Sequence, residues 1–187
     1  MTFQAQSKQA SQLQLAYLYW LSSLGSPTHA VTITFKRFNQ ETQQLWSIPI
    51  IKKSSSIFLK ILNKSVFGKS AKKDKACLMS AVVIGIGTYN DNPHAHLALE
   101  KPAHQTWAEF SELIAKAAKR TCWANDQMYI VPYDSQGWLE YMLEHGGRTC
   151  SLICAHQRDH EGRNPYDFDG LTGAGNQGGA LDSCRYA

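Results

Sequence analysis

Two apolar runs separated by a short turn-forming segment constrain the fold of this 187-residue chain more than any other feature. Residues 77–87 read CLMSAVVIGIG and residues 94–99 read HAHLAL. Between them lies TYNDNP, whose Asn, Asp and Pro residues favour a turn. Apolar runs of this length bounded by turn residues are typical of strands. The two runs are therefore predicted to pair as a hairpin.

Further strand and helix patterns flank the hairpin on both sides. Residues 30–38 (AVTITFKRF) alternate β-branched or aromatic residues with others, and residues 127–132 (QMYIVP) form a second short run, so both are predicted strands. Residues 54–68 have apolar residues at helical spacing, with serines as candidate caps and a glycine at the end. Residues 106–120 and 136–144 are predicted helices, the first with a capping threonine and basic residues at its end.

The grouping of these elements predicts an α+β fold, in which helices pack on one central antiparallel sheet. We assign residues 28–147 to this domain and residues 1–27 to an N-terminal helical lead-in. Residues 148–187 are predicted to be a loop-rich C-terminal tail, because glycine content rises and apolar periodicity ends there. Hydrophobic residues make up 43% of the chain, which is enough to build a core.

No segment of the sequence indicates a membrane or an export route. No apolar run approaches the roughly 20 residues needed to cross a bilayer, and the N-terminal residues lack the pattern of a cleavable signal. The five cysteines are odd in number and irregularly spaced, which suits a reducing compartment better than a disulfide framework. We therefore expect a cytoplasmic protein without a membrane partner.

Positive charge is concentrated in one segment of the chain. Residues 52–75 contain eight lysines and one acidic residue, so this segment carries +7 while the rest of the chain sums to −3. Such a distribution is typical of a protein that binds a polyanion, nucleic acid first, or of a solvated lysine-rich face. The predicted phosphate contacts are Lys69, Lys72, Lys73 and Lys75, which would position a nucleic acid without reading its sequence.

His94 and His96 are candidate metal ligands. Side chains two apart on a strand point to the same face of the sheet, so the two imidazoles project side by side, as metal ligands do. The apolar residues that follow them predict a central, buried strand that holds them firmly. The alternatives are two polar side chains on a solvated face, or one histidine in the core.

Tyr141 is the candidate nucleophile. In the predicted helix over 136–144 it shares a face with Trp138. A tyrosine is a useful nucleophile when a metal ion neutralises the charge of a phosphate in front of the phenol oxygen. Aromatic residues at this spacing are also common in cores. Tyr129, on a predicted strand, and Tyr133, at a turn, rank behind Tyr141.

Three motifs in order resemble those of HUH endonucleases, specifically the replication-initiator (Rep) group of rolling-circle plasmids and phages. They are the strand AVTITF, the segment PHAHLALEKP with His94 and His96, and the segment QMYIVPYDSQGWLEYMLE with Tyr141. The basic segment lies between the first two motifs. The resemblance covers roughly residues 28–145 and implies a ferredoxin-like or RRM-like sheet fold.

The resemblance also implies an activity, namely a site-specific endonuclease and ligase that acts on single-stranded DNA or a DNA hairpin at a replication origin. In such an enzyme His94 and His96 bind Mg²⁺ or Mn²⁺, and Tyr141 attacks the scissile phosphate to give a 5′-phosphotyrosine and a free 3′-OH. The implied role is to initiate rolling-circle replication of a plasmid, phage or mobile element. The chain has no phosphate-loop motif of a helicase, so a host helicase and polymerase would have to be recruited.

The sequence departs from the Rep pattern in two places. Many members have an acidic third ligand before the histidine pair, whereas here Asp91, Glu100, His104 or water are the candidates. Many members also carry a lysine three or four residues after the tyrosine, where this chain has Glu144 and His145. These departures support an alternative function, a catalytically weak or inactive HUH-fold module that binds an origin or hairpin.

Two further interpretations rank lower. Cys150, Cys154, His156 and His160 are zinc-capable side chains, but their spacing differs from that of common zinc sites, and a loosely ordered tail is preferred. An RRM-like RNA-binding function ranks last, because the aromatic strand motif of that family is missing.

Overall fold

A computed structural model of the chain describes residues 26–72, 78, 80–86, 92–133, 137–138 and 151–155. The predicted lead-in helix and most of the predicted helix over 136–144 lie outside these residues. In chain order the elements are β1 (His29–Phe35), β2 (Phe38–Asn39), β3 (Gln44–Leu45), α1 (Ile48–Phe67), α2 (Lys69–Lys72), β4 (Ser80–Ile86), β5 (Pro93–Leu99), α3 (Trp107–Lys119), β6 (Ala124–Pro132) and β7 (Ser151–Ala155).

The main sheet is antiparallel, with the strand order β6–β1–β5–β4–β7. β4 and β5 pair with Val83 opposite His96 and Gly85 opposite His94, which confirms the predicted hairpin pairing. β5 lies between β1 and β4, so the strand of the histidines is central, as predicted. The chain thus has an α+β fold, a four-stranded antiparallel sheet with helices packed against it, which β7 extends at the edge of β4.

The two faces of this sheet have different environments. Ala95 and Leu97 of β5 belong to the hydrophobic core together with residues of α1 and α3. His94 and His96 alternate with them along the strand and therefore lie on the opposite face. The largest fully buried side chains are Trp123, Phe58, Phe110, Ile33, Ile51, Leu59, Leu62, Ile84, Leu97, Leu99 and Ile114.

Helix α1 begins earlier than predicted, after Ser47, with Pro49 in its first turn. A proline is tolerated there because the first helical N–H groups have no partner within the helix. The serines that were predicted to cap a helix at residue 54 are interior and buried; the Ser54 hydroxyl donates to the carbonyl of Ile50 at 2.8 Å. The predicted end is confirmed, since Gly68 adopts a φ of 55° directly after the helix.

Helix α3 forms as its sequence predicts. The Thr106 hydroxyl accepts from the backbone N–H of Glu109 at 3.2 Å, and the Glu109 carboxylate accepts from the backbone N–H of Thr106 at 2.8 Å. This reciprocal pair is a capping box. The backbone N–H of Thr106 lowers the pKa of the Glu109 carboxyl group, and so does the Thr106 hydroxyl, which donates to the same carboxylate oxygen at 2.8 Å.

Two short elements lie outside the helices and strands predicted from the sequence. The first is the single helical turn α2, which follows Gly68. The predicted tail contains β7, which pairs antiparallel with β4. Its five residues are too few to show a period in the sequence, so β7 depends on the β4 edge that it joins. Within the described ranges, no helix combines the length and the apolar character that a membrane span requires.

Candidate metal centre

His94 and His96 lie side by side on β5, as the sequence predicts. Their ring centroids are 4.6 Å apart and the ring planes meet at 69°. His94 is half-buried, whereas His96 is only 2% exposed. Because β5 is paired with a neighbour on each side, its backbone presents both imidazoles from a rigid base, which is what a preorganised ligand pair needs.

Hydrogen bonds at Nδ1 orient both rings. Nδ1 of His94 lies 3.0 Å from the carbonyl oxygen of Asn92, and only a protonated Nδ1 donates to a carbonyl. Nδ1 of His96 lies 3.0 Å from Oγ1 of Thr32, the residue opposite it on β1, whose hydroxyl oxygen is able to accept in the same way. Histidines that bind metals commonly use one nitrogen for such a partner and the other for the metal. Nε2 is therefore the nitrogen suited to coordination in each ring.

Gly85 makes room for the imidazole of His94. The two residues are opposite each other on β4 and β5, and a Cβ on Gly85 would lie 2.6 Å from Nε2 of His94. Any larger residue at this position would push the ring away. The sequence analysis did not single out Gly85 as a site residue. The register of the predicted hairpin was the signal that could have identified it, since it places a glycine opposite a histidine.

Trp138 packs against His96 of the pair. Its ring stands edge-on to the His96 ring, with centroids 5.5 Å apart and an interplanar angle of 89°. Gly137 and Trp138 are helical, in agreement with the helix predicted over 136–144. Trp138 therefore brings the start of the predicted tyrosine segment onto the face of the sheet that carries the histidines.

The described part of the chain supplies no third protein ligand. Among the residues that the structure describes, no group of three His, Cys, Asp or Glu side chains is close enough to hold a metal ion. Glu100 follows the far end of β5, four residues and about 14 Å along the strand from His96. The ring of His104 packs against Phe67 at the end of α1, with centroids 6.5 Å apart. Both are thus poorly placed as ligands, and Asp91 lies outside the described residues.

The strand positions that share the face of the pair carry no carboxylate. These positions follow from the register of the four central strands and are Ala30, Thr32, Thr34, Ala81, Val83, Gly85, His94, His96, Ala98, Tyr129 and Val131. An anion that approaches this face therefore meets no negative side chain from these positions. A metal bound there would need its remaining ligands from water, a phosphate or other parts of the chain.

The structure separates the basic segment from the histidine pair. Lysines 52, 53, 60 and 64 lie on α1, in the helical layer that covers the other face of the sheet. Lys69 is the first residue of α2, follows Gly68 and is exposed. Lys72 ends α2, whereas Lys73 and Lys75 lie outside the described residues.

The three candidate tyrosines have different positions. Tyr141 lies outside the described residues. Tyr129 is 64% exposed on β6, on the same face as the pair. Tyr133 is half-buried, its backbone N–H donates to the Thr28 carbonyl at 3.0 Å, and burial raises the pKa of its phenol. The candidate zinc residues near the C-terminus also lie outside the described residues, apart from the backbone of Cys154 in β7.

His29, which the sequence analysis did not single out, lies on the helical face of β1. Its ring stacks on Trp107 at 4.9 Å and meets Phe110 edge-on at the same centroid distance. Nδ1 lies 2.8 Å from Oγ1 of Thr28, and Nε2 lies 3.3 Å from the carbonyl oxygen of Trp107 and 3.2 Å from Oγ of Ser111. Burial lowers the pKa of His29. His29 is therefore a structural residue that packs between β1 and helix α3.

Comparison with known proteins assigns no family to the chain. No family model matches it, and no curated protein or solved structure matches it either. The functional interpretation therefore depends on the geometry of the site and on the order of the sequence motifs.

Proposed function

We propose that this protein is a metal-dependent endonuclease of the HUH type that nicks and reseals single-stranded DNA through a 5′-phosphotyrosine intermediate. In this proposal His94 and His96 hold the metal ion, Tyr141 is the nucleophile, and the substrate is single-stranded DNA or a DNA hairpin at a replication origin. The role is to initiate rolling-circle replication of a plasmid, phage or mobile element, with a host helicase and polymerase as partners.

One observation carries this proposal: Trp138 contacts His96 on the face of the sheet that presents the histidine pair. Tyr141 follows Trp138 by three residues, and three residues separate two Cα atoms by no more than about 11 Å. We therefore assign the phenol of Tyr141 to the phosphate that the pair would hold.

The order of the elements supports the same class. β1, α1, β4, β5, α3 and β6 follow one another as βαββαβ, and their strands are ordered β6–β1–β5–β4. This arrangement is that of ferredoxin-like folds, in which two βαβ units are interleaved in one antiparallel sheet. It is the fold expected of the HUH group, and it places the strand with the histidines at the centre.

The residues of the pair fit a divalent metal ion. Two imidazoles with adjacent rings, each oriented by a hydrogen bond at Nδ1, are suitable ligands through Nε2. When bound, Mg²⁺ or Mn²⁺ would neutralise charge on the scissile phosphate and orient it. With only two protein ligands in the described part, oxygen atoms of the phosphate itself or of water are expected to complete the coordination.

Tyr141 performs the covalent step in this proposal. Its phenol oxygen forms a bond to phosphorus while the bond between phosphorus and the 3′ oxygen breaks. The phenol proton passes to solvent or a nearby base, and the departing 3′ oxygen takes up a proton to become a 3′-OH. Resealing is the reverse reaction. Neither direction needs an oxidant, a reductant or a nucleotide.

A labelling experiment tests this activity. The full-length protein is incubated with a pool of random single-stranded DNA oligonucleotides and Mn²⁺ or Mg²⁺, then denatured and separated on a gel. Because the protein becomes linked to the 5′ phosphate of the downstream fragment, a 3′ label should migrate with the protein and a 5′ label should not. Tyr141→Phe should abolish the adduct. An adduct that persists in Tyr141→Phe would contradict the assignment of the nucleophile.

A DNA-binding module without catalysis is the second candidate function. It is favoured by the burial of His96 at 2% exposure and by the lack of a third ligand among the described residues. In the same experiment this candidate predicts retention of the oligonucleotides on a native gel but no adduct with any divalent ion. The labelling result therefore separates the two functions.

A further inference from the structure

We propose that Tyr129, on the edge strand β6, is a stacking platform for one unpaired base of a single-stranded nucleic acid that passes beside the histidine pair. The inference rests on the proposed function, because it gives that enzyme a second, non-catalytic contact with its strand. It is supported by the register of the sheet, the exposure of the ring and the charge of the surface around it.

The register places Tyr129 in line with the pair. Thr32 of β1 is opposite His96 on one side and opposite Tyr129 on the other. Residues that are opposite each other in an antiparallel sheet project from the same face. Neighbouring strands are about 4.8 Å apart, so the Cα atoms of Tyr129 and His96, two strands apart, are separated by about 10 Å. An oligonucleotide easily bridges such a distance.

The exposure of Tyr129 is not explained by packing. Its neighbours in sequence, Met128 and Ile130, point the other way and pack against the core. Tyr129 remains 64% exposed, and Val131, two residues later on the same face, is 46% exposed. Together the two side chains form an exposed apolar pair on β6.

This exposed part of β6 borders the covered part of the same face. His96 and Ala98 on β5 are buried, and the ring of Trp138 packs on His96. Thr32 on β1 is half-buried, and Tyr129 on β6 is exposed. Exposure thus increases from His96 on β5 through Thr32 on β1 to Tyr129 on β6, three residues that are opposite one another in the sheet. A single strand that lies across β6, β1 and β5 toward the pair would pass close to Tyr129.

The chemistry of this surface selects an unpaired base as the occupant. The face positions of the central strands carry no carboxylate, so they do not repel phosphates, and the chain as a whole carries +4. A phenol ring stacks on any base and is therefore compatible with a strand of any sequence. In a duplex the faces of the bases are already stacked on their neighbours, which leaves only the unpaired base able to use the ring.

Binding measurements test this proposal without requiring cleavage. Fluorescence anisotropy with the full-length protein, in EDTA, gives the affinity for a labelled random single-stranded 20-mer and for the corresponding duplex. Loss of one stacked base is worth about 1–3 kcal/mol, so Tyr129→Ala should weaken single-strand binding by about 5- to 150-fold. Duplex binding should change little, and the preference for single strands should fall accordingly.

Two variants serve as controls. Tyr129→Phe keeps the ring and should bind like the wild type and still form the adduct. Leu45→Ala removes a side chain that is also exposed, at 71%, but lies on the separate β2–β3 ribbon, and it should leave binding unchanged. Thermal unfolding of all three variants checks that the fold is intact.

The outcomes separate this inference from the proposed function. The stacking role is overturned if Tyr129→Ala binds single strands as tightly as the wild type does. It is also overturned if the wild type does not bind single strands. Loss of the adduct in Tyr129→Phe also overturns it, because the phenol oxygen would then be the nucleophile. So does a dimer that disappears in Tyr129→Ala on sedimentation, since β6 would then pair with a second copy. Weakened binding by Tyr129→Ala in a protein that forms no adduct supports the stacking role while the nuclease proposal fails.

Discussion

His29 and the His94–His96 pair belong to neighbouring strands of one sheet but have opposite surroundings. On the helical face, His29 is stacked on Trp107 and both of its ring nitrogens face partners within the protein. On the other face, each histidine of the pair is held at Nδ1 and the two rings are adjacent. The comparison shows that histidines of one sheet enter different environments according to the face from which the ring projects, which the residue type alone does not indicate.

The origin of the difference is the alternation of side chains along the strands. His29 has the parity of the core residues Val31 and Ile33 on β1, and it therefore joins the helical layer. His94 and His96 have the opposite parity to Ala95 and Leu97 on β5. Shifting either strand by one residue would exchange the two environments.

The largest expected effect comes from removing the histidines of either kind. The double substitution His94→Ala/His96→Ala should abolish binding of Mn²⁺ measured by isothermal titration calorimetry, and it should also lower stability, because the buried ring of His96 is hydrogen-bonded to Thr32. His29→Ala should lower stability by roughly 1–3 kcal/mol for the same reason but should retain metal binding. Metal binding that depends on His29 would contradict the distinction.

Gly85→Ala should damage the site and spare the fold. The new Cβ displaces the His94 ring, so we expect affinity for Mn²⁺ to fall by about 100-fold, the upper end of the range for losing a group that orients a ligand. Stability should stay equal or rise slightly, because alanine loses less backbone entropy than glycine within a strand. Gly137→Ala is the matched control, since its Cβ would meet no atom within 4 Å. Equal affinities in the two variants would refute the role of Gly85.

Thr32→Val should weaken metal binding by about tenfold, because it removes the hydroxyl beside Nδ1 of His96 while keeping the shape of the side chain. Thr34→Val is the control on the same strand, since the Thr34 hydroxyl donates to the carbonyl of Gln127 at 2.7 Å. Thr32→Ser should restore most of the affinity. The same calorimetric titration measures all three variants, and a similar loss in Thr34→Val would mean that the effect is not specific to His96.

The smallest expected effect concerns pH. Burial, together with the charge of Lys101, lowers the pKa of His29 below its ordinary value of 6.5, although the hydrogen bond with the Trp107 carbonyl partly opposes this. Below pH 6.5 the unfolded chain binds a proton at His29 that the folded chain does not. The contribution of the neutral, buried His29 ring to the free energy of unfolding is therefore complete above pH 6.5 and declines as the pH falls below it. Urea unfolding at pH 7.5, 6.5 and 5.5 should show a steeper decline for the wild type than for His29→Gln. Equal slopes would contradict a neutral, buried His29.

Local patterns were sufficient to predict much of this fold. The capping box at Thr106, the glycine that ends α1 and the pairing of β4 with β5 all follow from neighbouring residues, and the structure confirms them. The start of α1 was predicted wrongly, because Ser54 and Ser56 donate to carbonyls within the helix instead of capping it. The strand β7 was missed because it exists only against the edge of β4.

For the candidate site, the sequence by itself determined that His94 and His96 share a face, since the period of a strand is two residues. Only the tertiary structure decided what surrounds them. Thr32 is 64 residues from His96 in the chain, and Trp138 is 42 residues from it. Gly85 is 9 residues from His94. Only strand pairing and packing bring these residues to the rings. The tertiary structure also placed the lysines of α1 on the side of the sheet opposite to the histidine pair, because the apolar face of that helix covers the core.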